Sequence, residues 1–267
     1  MLPVFFLIPM LIILVIGFST ELLNLKPEGG RIVYAHHFPV SLIELIFIPL
    51  SLIVASVFFF GIKRMLSDMK SNYVQRGLSN GVPIKPYYFM KTLITTLPEI
   101  ITHEKFSLCT QNQSRKINHI LAFFSFFNLA LVAGAFVFAL YVLNSHGPYA
   151  QLNPIKIFAD LSGIALILGS SLMIMDRLKD SSGSYLFFDW HLLGLTLILG
   201  FTGMLSEFVR LANWPGMAIT IYFIHLIAAF NLIAFLPYTK LAHFVYRTVA
   251  ISYRNYEIGK GFFLKNK

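Results

Sequence analysis

The stretch AITIYFIHLIAAFNLIAFLPYTKLAHFVY (218–246) decides how this chain is read. It is almost wholly apolar, long enough to cross a bilayer, and carries both His225 and His243. In a regular α-helix their separation of about 18 residues makes about five full turns and about 27 Å. Both imidazoles then leave one face, one toward each side of the membrane, an arrangement that suits two stacked cofactors each taking one axial ligand. Pro237 lies between them, where a proline removes a backbone donor and kinks a helix. Taken alone, the stretch also fits two unrelated histidines, one buried and one interfacial.

The rest of the chain bounds the class. Its 267 residues are 57% hydrophobic and 12% charged, with a mean hydropathy of +0.71. A soluble domain of this size carries about twice that charge. The reading is an all-α, polytopic membrane helix bundle forming a single membrane domain over 1–267. The N-terminal run LPVFFLIPMLIILVIGF (2–18) exceeds a signal-peptide core and lacks a small-residue cleavage pattern after it, so it reads as a retained helix. The single cysteine, Cys109, excludes internal disulfides and a cysteine-ligated iron–sulfur cluster within the chain.

Six spans are expected, at about 3–20, 40–62, 118–143, 156–175, 187–210 and 217–239. With the N-terminus inside, 17 of the 21 Lys and Arg residues fall on the inner side. Nine lie in 63–116, two in 176–186 and six in the basic tail 240–267. The outer side holds only Lys26, Arg31, Lys156 and Arg210. The positive-inside rule therefore puts both termini in the cytoplasm, in a multi-pass protein of the cytoplasmic (inner) membrane. Topology accounts for the basic charge, so no nucleic-acid partner is inferred.

The segment 63–116 is too long for a simple connection. Within it, KPYYFMKTLITTLPEIITHEKF (85–106) interleaves apolar residues with Lys91, Glu99, His103, Glu104 and Lys105. Such a sequence lies along the inner interface as one or two amphipathic helices. It can anchor the chain to the lipid surface or form a platform for a cytoplasmic partner.

Ionisable groups inside membrane spans are costly, so each marks a candidate site. Near the inner side stand His119, His243 and His191. Near the outer side stand His36, His37, His146 and His225, with Glu44, Lys156, Asp160, Glu207 and Arg210. Two histidines hold a low-spin b-type haem from its two faces, and bundle cores accommodate such cofactors. His119 and His243 are an economical inner pair, with His191 competing at similar depth. His225 is the natural first ligand of an outer haem, and His37, His36 and His146 are candidates for the second. Glu207 and Arg210 stand three apart on a helix, a spacing at which they pair with each other. Glu44, Lys156 and Asp160 suit the proton traffic of quinone chemistry.

Three motifs carry a resemblance. LPEIITHEKFSLC (97–109) followed by Arg115 and His119, FFDWHLLGLTLILGFTGMLSEFVRLA (187–212), and YFIHLIAAFNLIAFLPYTKLAHFVYRTVA (222–250) resemble the membrane cytochrome b subunit of the quinone-interacting membrane-bound oxidoreductase. That family is akin to the respiratory nitrate reductase cytochrome b and to heterodisulfide-reductase-linked subunits. The resemblance implies haem b at His225 and His243, with His119 on the inner haem, and a quinone of the menaquinone type near Lys156. The nitrate reductase subunit has a second histidine ten residues along the helix matching the third span. Leu129 stands there in this chain, beside Asn128. The outer haem therefore takes a different second ligand, for which His36 and His37 are the candidates, or is absent.

Family members carry an iron–sulfur domain that has no counterpart in these residues. The implied partner is therefore a separate cytoplasmic iron–sulfur/flavin subunit resembling heterodisulfide reductase, docked on 63–116 and the tail. The expected function is electron exchange between membrane quinone and that complex, in anaerobic sulfur-linked respiration. The competing readings are a haem-free membrane anchor or small transporter, and a heterodisulfide- or nitrate-reductase-type cytochrome b with another partner.

Overall fold

The computed structural model describes residues 32–79, 81–101, 113–145, 147, 149–179 and 187–265. The expected span 3–20 and His146 lie outside the described residues. Eight α-helices follow in order: α1 Tyr34–His37, α2 Val40–Gln75, α3 Pro86–Ile101, α4 Gln113–Tyr141, α5 Pro154–Lys179, α6 Phe187–Leu211, α7 Pro215–Phe235 and α8 Lys240–Lys265. No strand occurs among the described residues. Among the described residues, five helical stretches are long and apolar enough to cross a membrane: Val40–Gln75, Ile117–Tyr141, Pro154–Lys179, Asp189–Leu211 and Pro215–Tyr238. This is the pattern of a multi-pass membrane protein.

The stretch 218–246 is not one helix. Pro237 has no amide hydrogen and its ring crowds the preceding turn. The helix therefore ends at Phe235, tightens into a 3-10 turn over Leu236–Tyr238, and turns extended at Thr239 (ψ 175°). The Leu241 amide donates to Thr239 Oγ1 at 3.3 Å as the chain restarts as α8. His225 and His243 thus belong to different helices, and the five-turn register that placed them on one face is lost.

The basic tail has a regular structure. Residues 240–265 are helical, because apolar positions recur every three or four residues through Ala242, Val245, Val249, Tyr253 and Tyr256. The start of the segment 63–116, as far as Gln75, continues α2 instead of forming a loop, and α3 is its one described separate helix.

The chain divides into two compact units. Met1–Leu50 with Ser114–Ala234 form the first, and Ser51–Gln113 with Phe235–Lys267 the second. In the first, α4 to α7 run up and down through short connections. The α6–α7 turn shows how. Asn213 adopts the left-handed conformation (φ 57°), and the Trp214 amide donates to the Val209 carbonyl at 3.1 Å, closing α6. Asn tolerates that conformation better than most residues and serves as a helix C-cap in place of Gly. Pro215 then opens α7, where a missing amide hydrogen loses nothing. At the start of α5, the Ile155 amide donates to Asn153 Oδ1 at 2.9 Å and Pro154 takes the first helical position, as the preferences of helix N-termini lead one to expect.

Small residues let these helices approach closely. A side chain at Gly169 of α5 would place its Cβ 2.6 Å from the Ala122 backbone nitrogen of α4. Backbone has no rotamer with which to yield, so Gly169→Ala should destabilise the detergent-solubilised protein by about 1–3 kcal/mol. Gly194→Ala, where nothing lies within 4 Å, serves as the control. It should be neutral or gain up to about 1 kcal/mol of helix propensity. Equal melting temperatures for the two variants would contradict this packing.

In the second unit, α3 packs against α8. The Lys85 amide donates to the Tyr256 hydroxyl at 2.9 Å, Phe89 meets Tyr256 edge-on at 6.0 Å, and Asn255 Nδ2 donates to Thr96 at 3.2 Å. The later part of α2 joins them through Phe58 and Gly61 against Tyr246, and through Tyr73 against the fully buried Tyr253 at 5.4 Å.

Candidate functional site

The polar residues of the first unit gather at the end where α5 begins, α6 ends and α7 begins. Antiparallel pairing of α5 and α6 brings Lys156 level with Glu207, and Lys156 Nζ lies 2.7 Å from Glu207 Oε1. Arg210 reaches the same carboxylate with both arms of its fork, Nη2 to Oε1 at 2.5 Å and Nε to Oε2 at 3.1 Å. Gln151 Nε2 donates to Glu207 Oε1 at 2.5 Å. One carboxylate thus holds two cations and an amide. The Lys156 and Arg210 side chains keep only 13% and 15% of their surface exposed. Asp160, one turn beyond Lys156 on α5, feels both Lys156 and Glu207 electrostatically. The expected Glu207–Arg210 pair is present, and it extends to Lys156. That lysine is therefore engaged in a charge network rather than held free for a ligand.

A tyrosine covers this end. Tyr34 of α1 donates its hydroxyl to the Ser206 carbonyl at 2.5 Å and stacks on Tyr222 of α7, with ring centres 4.2 Å apart. Burial pushes the Tyr34 phenol up to about 12, so at neutral pH it remains a donor. An unfolded phenol titrates near 10. Between those two values the unfolded chain releases a proton that the folded chain keeps, and this contribution to stability is lost as pH rises. Melting temperature should fall more steeply between about pH 10 and 12 in the parent than in Tyr34→Phe. Parallel slopes would refute it.

His225 sits further into the bundle, in the seam between α6 and α7. Its Nδ1 lies 2.9 Å from Thr202 Oγ1, and the Thr202 hydroxyl in turn donates to the Ile198 carbonyl at 2.6 Å. A hydroxyl that spends its hydrogen on a carbonyl offers the imidazole a lone pair, so Nδ1 carries the hydrogen and donates to it. Nε2 is then the nitrogen with a free lone pair, the form in which histidine binds iron. Gly203 makes room for the ring: a Cβ there would come within 3.3 Å of His225 Cε1. Tyr222, one turn earlier, is offset-stacked on His225 at 6.5 Å. His37 is buried at the end of α1, whose Tyr34 packs on Tyr222 while the adjoining Phe38 packs on Tyr222 and Phe223. α1 thus lies on the same half of α7 that carries His225. His36, beside it, is exposed.

Glu44 is half-buried on α2 and makes no hydrogen bond or ion pair among the described residues, so the structure does not bring it into the network. At the opposite end of the first unit, Asn118 donates to Asp176 at 2.7 Å, and Arg177 donates to the Asp189 carbonyl at 2.8 Å while lying over Trp190 at 5.7 Å. His119 stacks on Phe123 and is exposed, and His191 is half-buried beside Phe187. His243 is exposed on α8 and belongs to the second unit.

The residues that sequence reasoning missed are Thr202, Gly203, Gln151 and Tyr34. A tight turn centred on Asn213 makes α6 and α7 a hairpin, and residues equidistant from that turn face each other. Reflecting 225 about the turn gives 201–203, so the His225 contacts were readable once the turn was recognised.

Among the described residues, no three His, Cys, Asp or Glu side chains gather as a metal-ion ligand set. A haem needs only one imidazole on each face, and His225 offers one with its tautomer fixed. No family model matches the chain, and neither a curated protein nor a solved structure matches it.

Proposed function

We propose that this chain is a haem b-bearing membrane subunit that exchanges electrons between a membrane quinone and a cytoplasmic iron–sulfur/flavin partner. The observation that carries the reading is His225: a half-buried imidazole in the seam between α6 and α7, its Nδ1 2.9 Å from Thr202 Oγ1, in the same unit as a network of two acids and two bases. The three-motif resemblance supports the same assignment. In this reading there are six spans with both termini in the cytoplasm, which the distribution of Lys and Arg supports.

Each residue then has a task. His225, with His37 as its opposite ligand, would hold an outer haem, and His119 and His243 are each candidate ligands for an inner one. Haem b, when bound, supplies reversible one-electron transfer. Quinone reduction consumes protons and quinol oxidation releases them. Asp160 supplies an acid–base group at the network's edge, and Tyr34, its hydroxyl hydrogen held by the Ser206 carbonyl, covers that end. Lys156 and Arg210 hold Glu207 in place and fix where charge sits, so that a quinone oxygen meets a preorganised field.

Reduced-minus-oxidised spectra of the purified chain should show a b-type α-band, and the pyridine haemochrome assay about two haems per chain. A colourless preparation ends this reading. Thr202→Val removes the hydroxyl that orients His225. Loss of such a partner should weaken outer-haem retention about 10–100-fold on dilution, with the inner haem unaffected. The charge network is the feature that favours the second reading, a haem-free conductor of protons or solute. That reading predicts no haemochrome and no effect of Thr202→Val on any spectrum.

A further inference from the structure

The chain's charge is not shared between its units. The second unit, 51–113 with 235–267, contains 13 Lys and Arg against four Asp and Glu, a formal +9. The first contains eight of each and is neutral. The charged unit also carries an apolar face. On α3, the inward positions Phe89 and Thr96 pack on α8. The outward positions Tyr87, Met90 and Ile94 recur at helical spacing and remain open, Tyr87 at 75% and Ile94 at 63% exposure. Lys85 and Lys91, both exposed, stand among them.

Lipid is the ordinary cover for such a face, but the geometry puts it out of reach. The apolar part of α2 ends at Ile62, before Lys63 and Arg64. Tyr73 lies ten positions beyond Lys63, about 15 Å along the helix axis. The headgroup layer beyond the hydrocarbon is only about 5–8 Å thick on each side. Tyr253 packs against Tyr73, and α3 touches α8 at Asn255 and Tyr256, beyond that level. The Tyr87–Met90–Ile94 face therefore stands clear of the bilayer. A second copy of the chain is disfavoured by the mutual repulsion of two such strongly cationic units.

We infer that the Tyr87–Met90–Ile94 face of α3, rimmed by Lys85 and Lys91, docks a soluble protein through an apolar patch bordered by carboxylates. Apolar anchors supply the affinity, while the basic rim supplies steering and register. The inference rests on the membrane orientation of the proposed function and not on its haems.

The test uses the full chain, expressed in its own cells, with the photo-crosslinker p-benzoylphenylalanine in place of Ile94. The expected result is an adduct to one protein whose crosslinked peptide, mapped by mass spectrometry, is rich in Asp and Glu. Lys85→Glu with Lys91→Glu should cut its yield about tenfold while leaving the melting temperature unchanged. Adducts only to phospholipid, adducts to a second copy of the chain, a crosslinked peptide without acidic residues, or no adduct at all would each overturn the inference. Haem content measured on the same samples separates the two proposals, since a haem-free chain that still forms the acidic adduct ends the first and keeps the second.

Discussion

Glu207→Ala is expected to destabilise the protein by about 2–4 kcal/mol, the largest loss of any single polar substitution in the first unit. Truncation leaves Lys156 and Arg210, both mostly buried, without the carboxylate that neutralises them. Breaking one partner of a fully buried ion pair costs about 3–5 kcal/mol, because the surviving charge is stranded. The value here is set lower because the Glu207 side chain keeps 20% of its surface exposed. Water reaching it screens part of the interaction. The measurement is thermal unfolding in mild detergent, where this loss lowers the melting temperature by about 5–15 °C. A charge-balanced double variant, Glu207→Leu with Lys156→Met, should lose less than the sum of the two single substitutions, because it strands fewer charges. A Glu207→Ala protein that melts with the parent would show that the network contributes nothing to the fold.

The same network marks where sequence reading stops. The spans from 40 onward were legible because about 20 apolar residues in a row have few alternatives to a membrane helix. The Glu207–Arg210 pair was legible because it lies within one turn of one helix. Lys156 joining Glu207 was not, since it depends on the register between α5 and α6. The helix in the tail went unread for another reason: α8 is too polar on average to resemble a span, and its helical apolar period shows only when spacing is read apart from hydropathy. Pro237 was seen, but its consequence depended on whether neighbouring residues would tolerate a kink or end the helix. The extended Thr239 decided for an ending. His225 consequently stands as a candidate on its local contacts alone, without the long helix that first suggested it.

His225→Ala is the substitution on which the proposed function depends most. The parent should carry about two haems and the variant about one. Quinol-driven reduction of the remaining haem should slow by about two orders of magnitude or more, as expected when one link of a relay is removed. The fold should survive, because a hydrogen bond such as the ring's to Thr202 is worth about 1 kcal/mol. Near-parent melting temperature with halved haem therefore assigns His225 as a ligand. His37→Ala should reproduce the haem loss if α1 supplies the opposite face, whereas His36→Ala, at an exposed position, should leave the content unchanged. His243→Ala should remove the other haem and leave the His225-dependent spectrum intact. A His225→Ala protein with the parent's full haem content would detach His225 from the cofactor. The half-buried imidazole, hydrogen-bonded to Thr202, would then be a proton-handling group in a membrane conductor.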